Sequence, residues 1–264
     1  MNEKFERLWA TKNKNDEWWS SFVTSPLAIV ANFFVVDWKW LTPNLVTLLS
    51  FLVAIVATGL MVLGGQTAFY LAALLIHLSH VLDCMDGQMA RYRKVSSRTG
   101  SYYDKVTDLV QVFLWFGAAG YAANVQSQSI LPIYLAFIGV AFYFLRGYIK
   151  YVTIYIEMGA NKEYLRNSHQ EVAEIEQERI AHAGLGHGLT ANLRWLLGEQ
   201  RKIFSFDEGV FIFMLSAALI FNQLIPMLWI FAGSQLFYGI ARTLQRGRRL
   251  QRGQHRQILT TTEK

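Results

Sequence analysis

Three long stretches without any charged residue restrict the fold of this chain more than any other feature of its sequence. Asp, Glu, Lys and Arg are absent from 40–82, 109–145 and 209–241, which are 43, 37 and 33 residues long. A helix needs about 20 apolar residues to cross the hydrocarbon core of a bilayer. Each stretch is therefore long enough for two membrane-spanning helices, the third with help from its flanks. With 53% hydrophobic and only 17% charged residues, an ordinary soluble domain is excluded.

A polar or glycine-containing break lies near the middle of each stretch, at 64–66, 124–129 and 222–223. Two apolar segments joined by such a break are typical of a helical hairpin that crosses the membrane twice. The six predicted spans are 44–64, 67–90, 101–123, 130–156, 206–222 and 225–246. The expected fold is all-α, an integral membrane six-helix bundle.

All positive charges lie on one side of this predicted bundle. The 25 Lys and Arg residues fall before residue 40, in 83–108, in 146–208 and after 241, and the hairpin breaks contain none. Because positively charged loops face the cytoplasm, we expect a multi-pass protein of the inner (cytoplasmic) membrane with both termini in the cytoplasm. The formal net charge of +6 then indicates contact with anionic lipid rather than with nucleic acid.

The chain divides into an N-terminal cytoplasmic segment, a six-span domain and a basic C-terminal tail, at 1–43, 44–246 and 247–264. In the first part, Ser25 as N-cap and Pro26 at the first helical position predict a helix over 27–36. This helix is too short to span, and we expect it to be amphipathic and to lie on the membrane surface. Residues 158–202 form a cytoplasmic insert, which we interpret as a solvated connection.

The residues that carry chemistry follow the second predicted span. Asp83 and Asp86 are three positions apart, and Asp104 and Asp108 are four apart, so each pair lies on one face of a helix. Carboxylates brought together repel one another unless cations hold them, and oxygen ligands without cysteine favour a hard ion such as Mg²⁺. Two such ions about 4 Å apart would clamp the attacking and leaving oxygens of a phosphoryl transfer.

Other residues of the same segment fit this chemistry. Gly87 leaves room beside Asp86 for a ligand to approach the helix backbone. Arg91 offers a guanidinium fork to phosphate, and Ser97 either donates to phosphate or caps the next helix. The alternative, that these are plain interface residues, is weak because ionisable groups near a span are costly and usually functional.

The segment from Asp83 to Asp108 resembles the CDP-alcohol phosphatidyltransferase family, the membrane enzymes of phospholipid head-group synthesis. It matches all eight specified positions of the family signature D-x2-D-G-x2-A-R-x8-G-x3-D-x3-D. The six spans, the surface helix and Thr-Pro-Asn-Leu-Val-Thr at 42–47 extend the resemblance. The insert at 158–202 is longer than the connection in the smallest members.

The resemblance implies a role for each matching residue. Asp83, Asp86 and Asp104 would bind metal, while Asp108 would contact the second metal and act as the general base for the acceptor hydroxyl. The metal would be Mg²⁺ or Mn²⁺, as two ions. The residues that would bind the CDP moiety are Pro43, Asn44, Leu45, Val46, Gly87, Arg91 and Ser97. The resemblance also implies a homodimer.

The expected activity is transfer of the phosphatidyl group of CDP-diacylglycerol, or of another CDP-alcohol, to a small acceptor alcohol. The acceptor would attack the phosphate next to the lipid alcohol and release CMP. One alternative is the reversed arrangement, in which a CDP-linked polar head group is transferred to a lipid or polyol. A transporter coupled to ions is a second alternative, although transporter sites lie near the bilayer midplane and these aspartates lie at helix ends.

Basic residues later in the chain are candidates for binding a phosphate of the acceptor, as in glycerol 3-phosphate or inositol phosphate. Arg146 and Lys150 are four positions apart and share a helix face, and Arg201 is a further candidate. The alternative is that Lys150 extends to the interface while Arg146 pairs with an acid.

Two histidines near the aspartates have the spacing of a transition-metal site. His77, His80 and Asp83 are three positions apart. We expect the histidines instead to form hydrogen bonds inside the bundle, because the aspartates already supply a hard-ion site. Glu208 is expected to pair with Arg242.

Overall fold

The computed structural model describes residues 3–12, 17–161, 163–164 and 188–262. Within this part every regular element is helical, which confirms the predicted all-α fold. The α-helices are α1 (Glu3–Trp9), α2 (Ser25–Val35), α3 (Pro43–Leu63), α4 (Gln66–Arg93), α5 (Arg98–Ser127), α6 (Leu131–Ala160), α7 (Leu189–Glu199), α8 (Glu208–Ile220) and α9 (Leu224–Thr262). A π-helix, Ser20–Thr24, precedes α2, and a 3₁₀ helix, Gln200–Ser205, follows α7.

Among the described helices, five are long and apolar enough to cross a membrane: α3, α4, α5, α6 and the first 29 residues of α9. The predicted span 206–222 is instead α8, an apolar helix of 13 residues. Such a helix is about 20 Å long, less than the hydrocarbon core of about 30 Å. It does not begin earlier because Phe206 has a left-handed backbone with φ of 51° and Asp207 is extended. As a partial span packed on α4, α8 completes the six-helix bundle.

The predicted hairpin breaks are confirmed as the points where helices end. Gly64 and Gly65 have φ of 75° and 87° between α3 and α4. Gln128 and Asn222, with φ of 53° and 52°, follow α5 and α8. A residue in the left-handed region stops a helix, so the chain reverses at each of these points.

The bundle core combines small residues with stacked aromatic rings. Phe116 on α5 and Phe231 on α9 stack with ring centroids 3.6 Å apart and planes 8° apart. A Cβ on Gly120 would lie 2.7 Å from Ala136 Cβ, so α5 and α6 approach too closely there for any larger residue. Small residues are typical of such contacts between membrane helices, where packing rather than water drives association.

The predicted surface helix is present as α2, but Ser25 is not its N-cap. Ser25 has helical φ and ψ of −66° and −42° and continues the π-helix Ser20–Thr24. The π-turn lies directly before Pro26, whose missing N–H and bulky ring interrupt a regular α-helix. The outer face of α2 exposes Leu27 and Phe34, an apolar surface suited to lipid.

Several hydrogen bonds anchor the N-terminal segment on the last turns of α4. Arg93 donates to the carbonyl oxygens of Val36 and Leu41, both at 2.7 Å. Buried Asn32 of α2 donates to the Met85 carbonyl at 3.0 Å. The segment before α3 is therefore fixed against the end of α4 that carries the aspartates.

The insert at 158–202 is described only at its two ends, and 165–187 lie outside the described residues. Trp195 on α7 makes an edge-to-face contact with Phe22, with ring centroids 5.3 Å apart. The described end of the insert thus packs on the N-terminal segment. Helix α9 continues from the last span into the predicted basic tail without interruption.

Candidate active site

The four aspartates of the motif lie where α4 ends and α5 begins. The chain leaves α4 through Lys94, which has a left-handed backbone. It enters α5 at Ser97, whose Oγ accepts the Gly100 N–H at 2.9 Å. Ser97 was expected either to donate to phosphate or to cap the next helix, and in the structure it caps α5. A Cβ on Gly100 would lie 3.0 Å from Asn44 Oδ1, so glycine lets α5 begin close against α3.

Three of the aspartates form one cluster. Carboxylate oxygens of Asp83, Asp104 and Asp108 all lie within 4.8 Å of one another. Asp86 is outside this group and is buried, and it accepts a hydrogen bond from the hydroxyl of Thr47 on α3. The predicted quartet is thus a cluster of three carboxylates with a fourth beside it that α3 holds in place.

The electrostatics of this cluster fit a bound cation. Each pair of ionised carboxylates at such a separation repels by at least about 3.5 kcal/mol at an effective dielectric constant of about 20. Asp83 Oδ1 and Asp108 Oδ1 are buried and have no hydrogen-bond partner in the described part of the chain. The nearby ammonium of Lys105, 4.0 Å from Asp104 Oδ2, belongs to a largely exposed side chain. Oxygen ligands left without donors are what a divalent cation such as Mg²⁺ binds.

A cavity of about 610 Å³ opens on one side of the aspartates, between α3, α4 and the start of α5. Asp86 and Asp104 lie in its wall. So do five of the seven residues predicted to bind the CDP moiety, namely Pro43, Asn44, Gly87, Arg91 and Ser97. The other two, Leu45 and Val46, pack in the apolar cluster between the N-terminal segment and α4. Most of the predicted donor site is therefore one continuous surface.

The structure shows a steric reason for glycine at position 87 that the sequence did not predict. A Cβ there would lie 3.2 Å from Arg91 Nη1 and 3.4 Å from Nη2. The guanidinium of Arg91 thus occupies the space expected for a ligand and lies across α4. Its Nε donates to the Thr11 carbonyl at 2.8 Å, and the side chain forms part of the cavity wall.

A second, smaller cavity of about 240 Å³ lies behind the aspartates and contains residues that the motif did not predict. Besides Asp83 and Asp108 it is lined by Glu17, Ser20, His80 and Glu208. Glu208 Oε1 is 3.6 Å from His80 Nδ1, so among the described ion pairs Glu208 is matched with His80 rather than with Arg242. Atoms of His80, Asp83 and Glu208 also lie within 4.8 Å of one another.

Both histidines form the hydrogen bonds inside the bundle that we expected. His77 Nδ1 is 2.9 Å from the Ala73 carbonyl and 3.2 Å from Ser216 Oγ. His80 Nε2 is 2.8 Å from Ser20 Oγ. His80 nevertheless faces the aspartates, and His77 lies farther along α4.

A third cavity, of about 700 Å³, adjoins the cluster on the side of α6, α8 and α9. Asp108 and Glu208 lie in its wall, together with the basic residues Lys105, Arg146, Lys150, Arg242 and Arg246. Lys105, Asp108 and Glu208 also line the second cavity, so the two cavities meet at these residues. The second is lined by several carboxylates and is called the acidic cavity below, and the third is called the basic cavity. The side chain of Arg201 lies outside the described residues.

The guanidinium of Arg146 is held by contacts within the protein and also lies in the wall of the third cavity. Its Nη1 donates to the Ser205 carbonyl at 2.5 Å and to Gln235 Oε1 at 2.6 Å. Its Nη2 lies 3.7 Å from Asp207 Oδ1, the acid pairing expected as the alternative. Arg146 therefore ties α6 to α9 and to the start of α8, and Lys150 is the more exposed cation of the pair.

The part of the chain that contains the aspartates matches a known protein family. The sequence model of CDP-alcohol phosphatidyltransferase matches residues 40–166. The chain contains a CDP-alcohol phosphatidyltransferase domain. The resemblance drawn from the aspartate motif is confirmed, and the matched domain belongs to a family of phosphotransferases that move a phosphatidyl group from a CDP-alcohol to an acceptor. No curated protein matches the chain.

The matched phosphatidyltransferase domain covers α3 to α6 and with them all four aspartates. Glu17, Ser20 and Glu208 come from outside the matched region. A signal for Glu208 was present, because it directly precedes the third charge-free stretch and Asp83 directly follows the first. Glu17 has no comparable signal, since it lies in a polar segment whose path is decided only by packing.

Proposed function

We propose that the chain transfers the phosphatidyl group of CDP-diacylglycerol to a small phosphorylated alcohol, such as glycerol 3-phosphate or inositol phosphate, and releases CMP. The observation that carries the proposal is the position of the carboxylate cluster between two larger cavities. One of these cavities is lined by the donor-binding part of the family signature, and the other is lined by basic residues. The donor would thus reach the cluster at Asp104, and the acceptor would reach it at Asp108.

Asp108 is suited to the role of general base. It lies in the wall of the basic cavity, and its buried Oδ1 has no hydrogen-bond partner in the described part of the chain. The acceptor hydroxyl would give its proton to this carboxylate while its oxygen forms a bond to the phosphorus next to the lipid alcohol. The bond from that phosphorus to the bridging oxygen of the pyrophosphate breaks, and CMP leaves with the electron pair.

The remaining carboxylates would hold the cofactor. Asp83, Asp86 and Asp104, with Asp108, would bind two Mg²⁺ or Mn²⁺ ions, which when bound neutralise charge on the pyrophosphate. Arg91 lines the donor cavity, and it would orient the donor phosphates through its two terminal nitrogens, since its Nε is bound to the Thr11 carbonyl.

The acceptor phosphate would bind in the basic cavity. Lys150 and Arg146 are the residues predicted for it, and Arg242 and Arg246 of α9 line the same space. Helices α6 and α9 would therefore both contribute cations to a doubly charged phosphate. An acceptor without a phosphate would not need these cations. We also propose that this end of the bundle faces the cytoplasm, because the Lys and Arg residues lie on this side.

The test is CMP release from purified full-length protein with Mg²⁺ and CDP-diacylglycerol. The acceptors would be glycerol 3-phosphate, inositol phosphate and their dephosphorylated forms, with lipid products identified by mass. The proposal expects release that depends on one phosphorylated acceptor. The Asp108→Asn variant should bind CDP-diacylglycerol but release CMP at least about 100-fold more slowly, whereas exposed Asp37→Asn serves as the control.

Other results would point elsewhere. Release only with a dephosphorylated acceptor would contradict the role of the basic cavity. Release only from a CDP-linked polar head group would favour the reversed arrangement. A chain that binds the donor but turns over none of these pairs would not be the proposed synthase.

A further inference from the structure

A carboxylate from the N-terminal segment caps a helix on the far side of the active site. Glu17 Oε1 accepts the Gly209 N–H at 2.6 Å across 192 positions of sequence. The first N–H groups of a helix have no partner within it, and Asp207, at the N-cap of α8, makes no side-chain hydrogen bond to it. Glu17 supplies the acceptor that Asp207 does not, and its negative charge suits a helix N-terminus.

The N-terminal segment around Glu17 and the start of α8 at Gly209 lie too close together for either to shift independently. A Cβ on Gly209 would lie 3.0 Å from the backbone nitrogen of Ser20 and closer still to Glu17 Oε1. Ser20 is buried, and its hydroxyl also donates to Glu17. The N-terminal segment and the start of α8 are therefore packed backbone against backbone, with the Glu17 carboxylate between them.

This contact leads directly to the acidic cavity. Glu208, next to Gly209 in the chain, lies 3.6 Å from His80 Nδ1. On the opposite side of the imidazole, His80 Nε2 is 2.8 Å from Ser20 Oγ. Glu17 is therefore linked to His80 through Ser20 and to Glu208 through Gly209. Both side chains line the cavity that contains Asp83 and Asp108.

We propose that Glu17, which lies outside the matched family domain, is a positioning residue of the active site. By capping α8 and holding Ser20 it keeps Glu208 and His80 beside the aspartate cluster. The inference rests on the proposed function, because it assigns Glu17 to the site of phosphatidyl transfer.

Three substitutions distinguish the effect of the length of the Glu17 side chain from the effect of its charge. Glu17→Gln keeps an oxygen that accepts both hydrogen bonds, Glu17→Asp keeps the charge but shortens the side chain, and Glu17→Ala removes both. We expect kcat to fall about tenfold in the Asp and Ala variants and to stay within about twofold of wild type in the Gln variant. The KM for CDP-diacylglycerol should stay within about twofold in all three, since the donor cavity does not include Glu17. Exposed Glu6→Ala is the matched control.

Binding of Mn²⁺ to the full-length variants, followed by electron paramagnetic resonance, gives a second readout that needs no turnover. We expect the Asp and Ala variants to bind Mn²⁺ about fivefold more weakly than the Gln variant. Equal kcat and equal Mn²⁺ affinity in Glu17→Asp and Glu17→Gln would overturn the proposal, as would a change confined to the donor KM. If wild type releases no CMP from any donor and acceptor, the proposed function fails, and the Mn²⁺ comparison alone then decides the role of Glu17.

Discussion

Replacing Gly87 by alanine should stabilise the protein and slow the enzyme at the same time. Gly87 lies inside α4, where alanine is favoured over glycine by about 0.5–1 kcal/mol per residue because glycine loses more backbone entropy on folding. A Cβ at this position would lie 3.2 Å from Arg91 Nη1. The guanidinium must then move by a few tenths of an ångström, although its Nε is held by the Thr11 carbonyl at 2.8 Å.

The size of the catalytic loss follows from that displacement. A misplacement of about 1 Å in a group that positions substrate costs roughly 100-fold in rate. A shift of a few tenths of an ångström in Arg91 should therefore lower kcat/KM for CDP-diacylglycerol about fivefold, equivalent to about 1 kcal/mol of transition-state stabilisation.

The assay compares initial rates of CMP release over a range of CDP-diacylglycerol concentrations with thermal unfolding in the same detergent. Gly117→Ala is the matched control, because Gly117 lies inside α5 and a Cβ there would meet nothing within 4 Å. The control should gain stability and keep its activity. An unchanged kcat/KM in Gly87→Ala with a raised Tm would refute the steric link to Arg91. An equal loss of activity in the control would mean that stiffening of a helix, not displacement of the guanidinium, slows the enzyme.

Three further predictions concern the metal site and the acceptor. Thr47→Val removes the hydroxyl that donates to buried Asp86, so the Mg²⁺ concentration for half-maximal activity should rise about tenfold; an unchanged midpoint would contradict this. Lys150→Ala should raise the acceptor KM about tenfold without changing the donor KM, and an unchanged acceptor KM would remove Lys150 from the acceptor site. Exhaustive chelation should abolish CMP release and added Mg²⁺ should restore it, whereas activity that survives chelation would exclude the carboxylate cluster as an essential metal site.

The membrane bundle was predictable because the signals for it are local. A charge-free stretch interrupted by Gly64 and Gly65 predicts a hairpin, since in lipid the backbone must satisfy its own hydrogen bonds and a helix is the simple way to do so. The length of α8 was not predictable in this way. The helix begins where the left-handed backbone at Phe206 and the extended backbone at Asp207 allow it, and neither residue type is a local signal for such a conformation.

The sequence by itself determined the helical membrane architecture, the aspartate motif and the family of the domain that contains the motif. It could do so because helix periodicity places Asp83 with Asp86, and Asp104 with Asp108, whatever surrounds them. Only the tertiary structure decided which further side chains join them. Glu17 and Gly209 meet across 192 positions, and no local pattern records such a contact. Their meeting depends on how closely two backbones approach, which is set by the summed packing of the whole bundle.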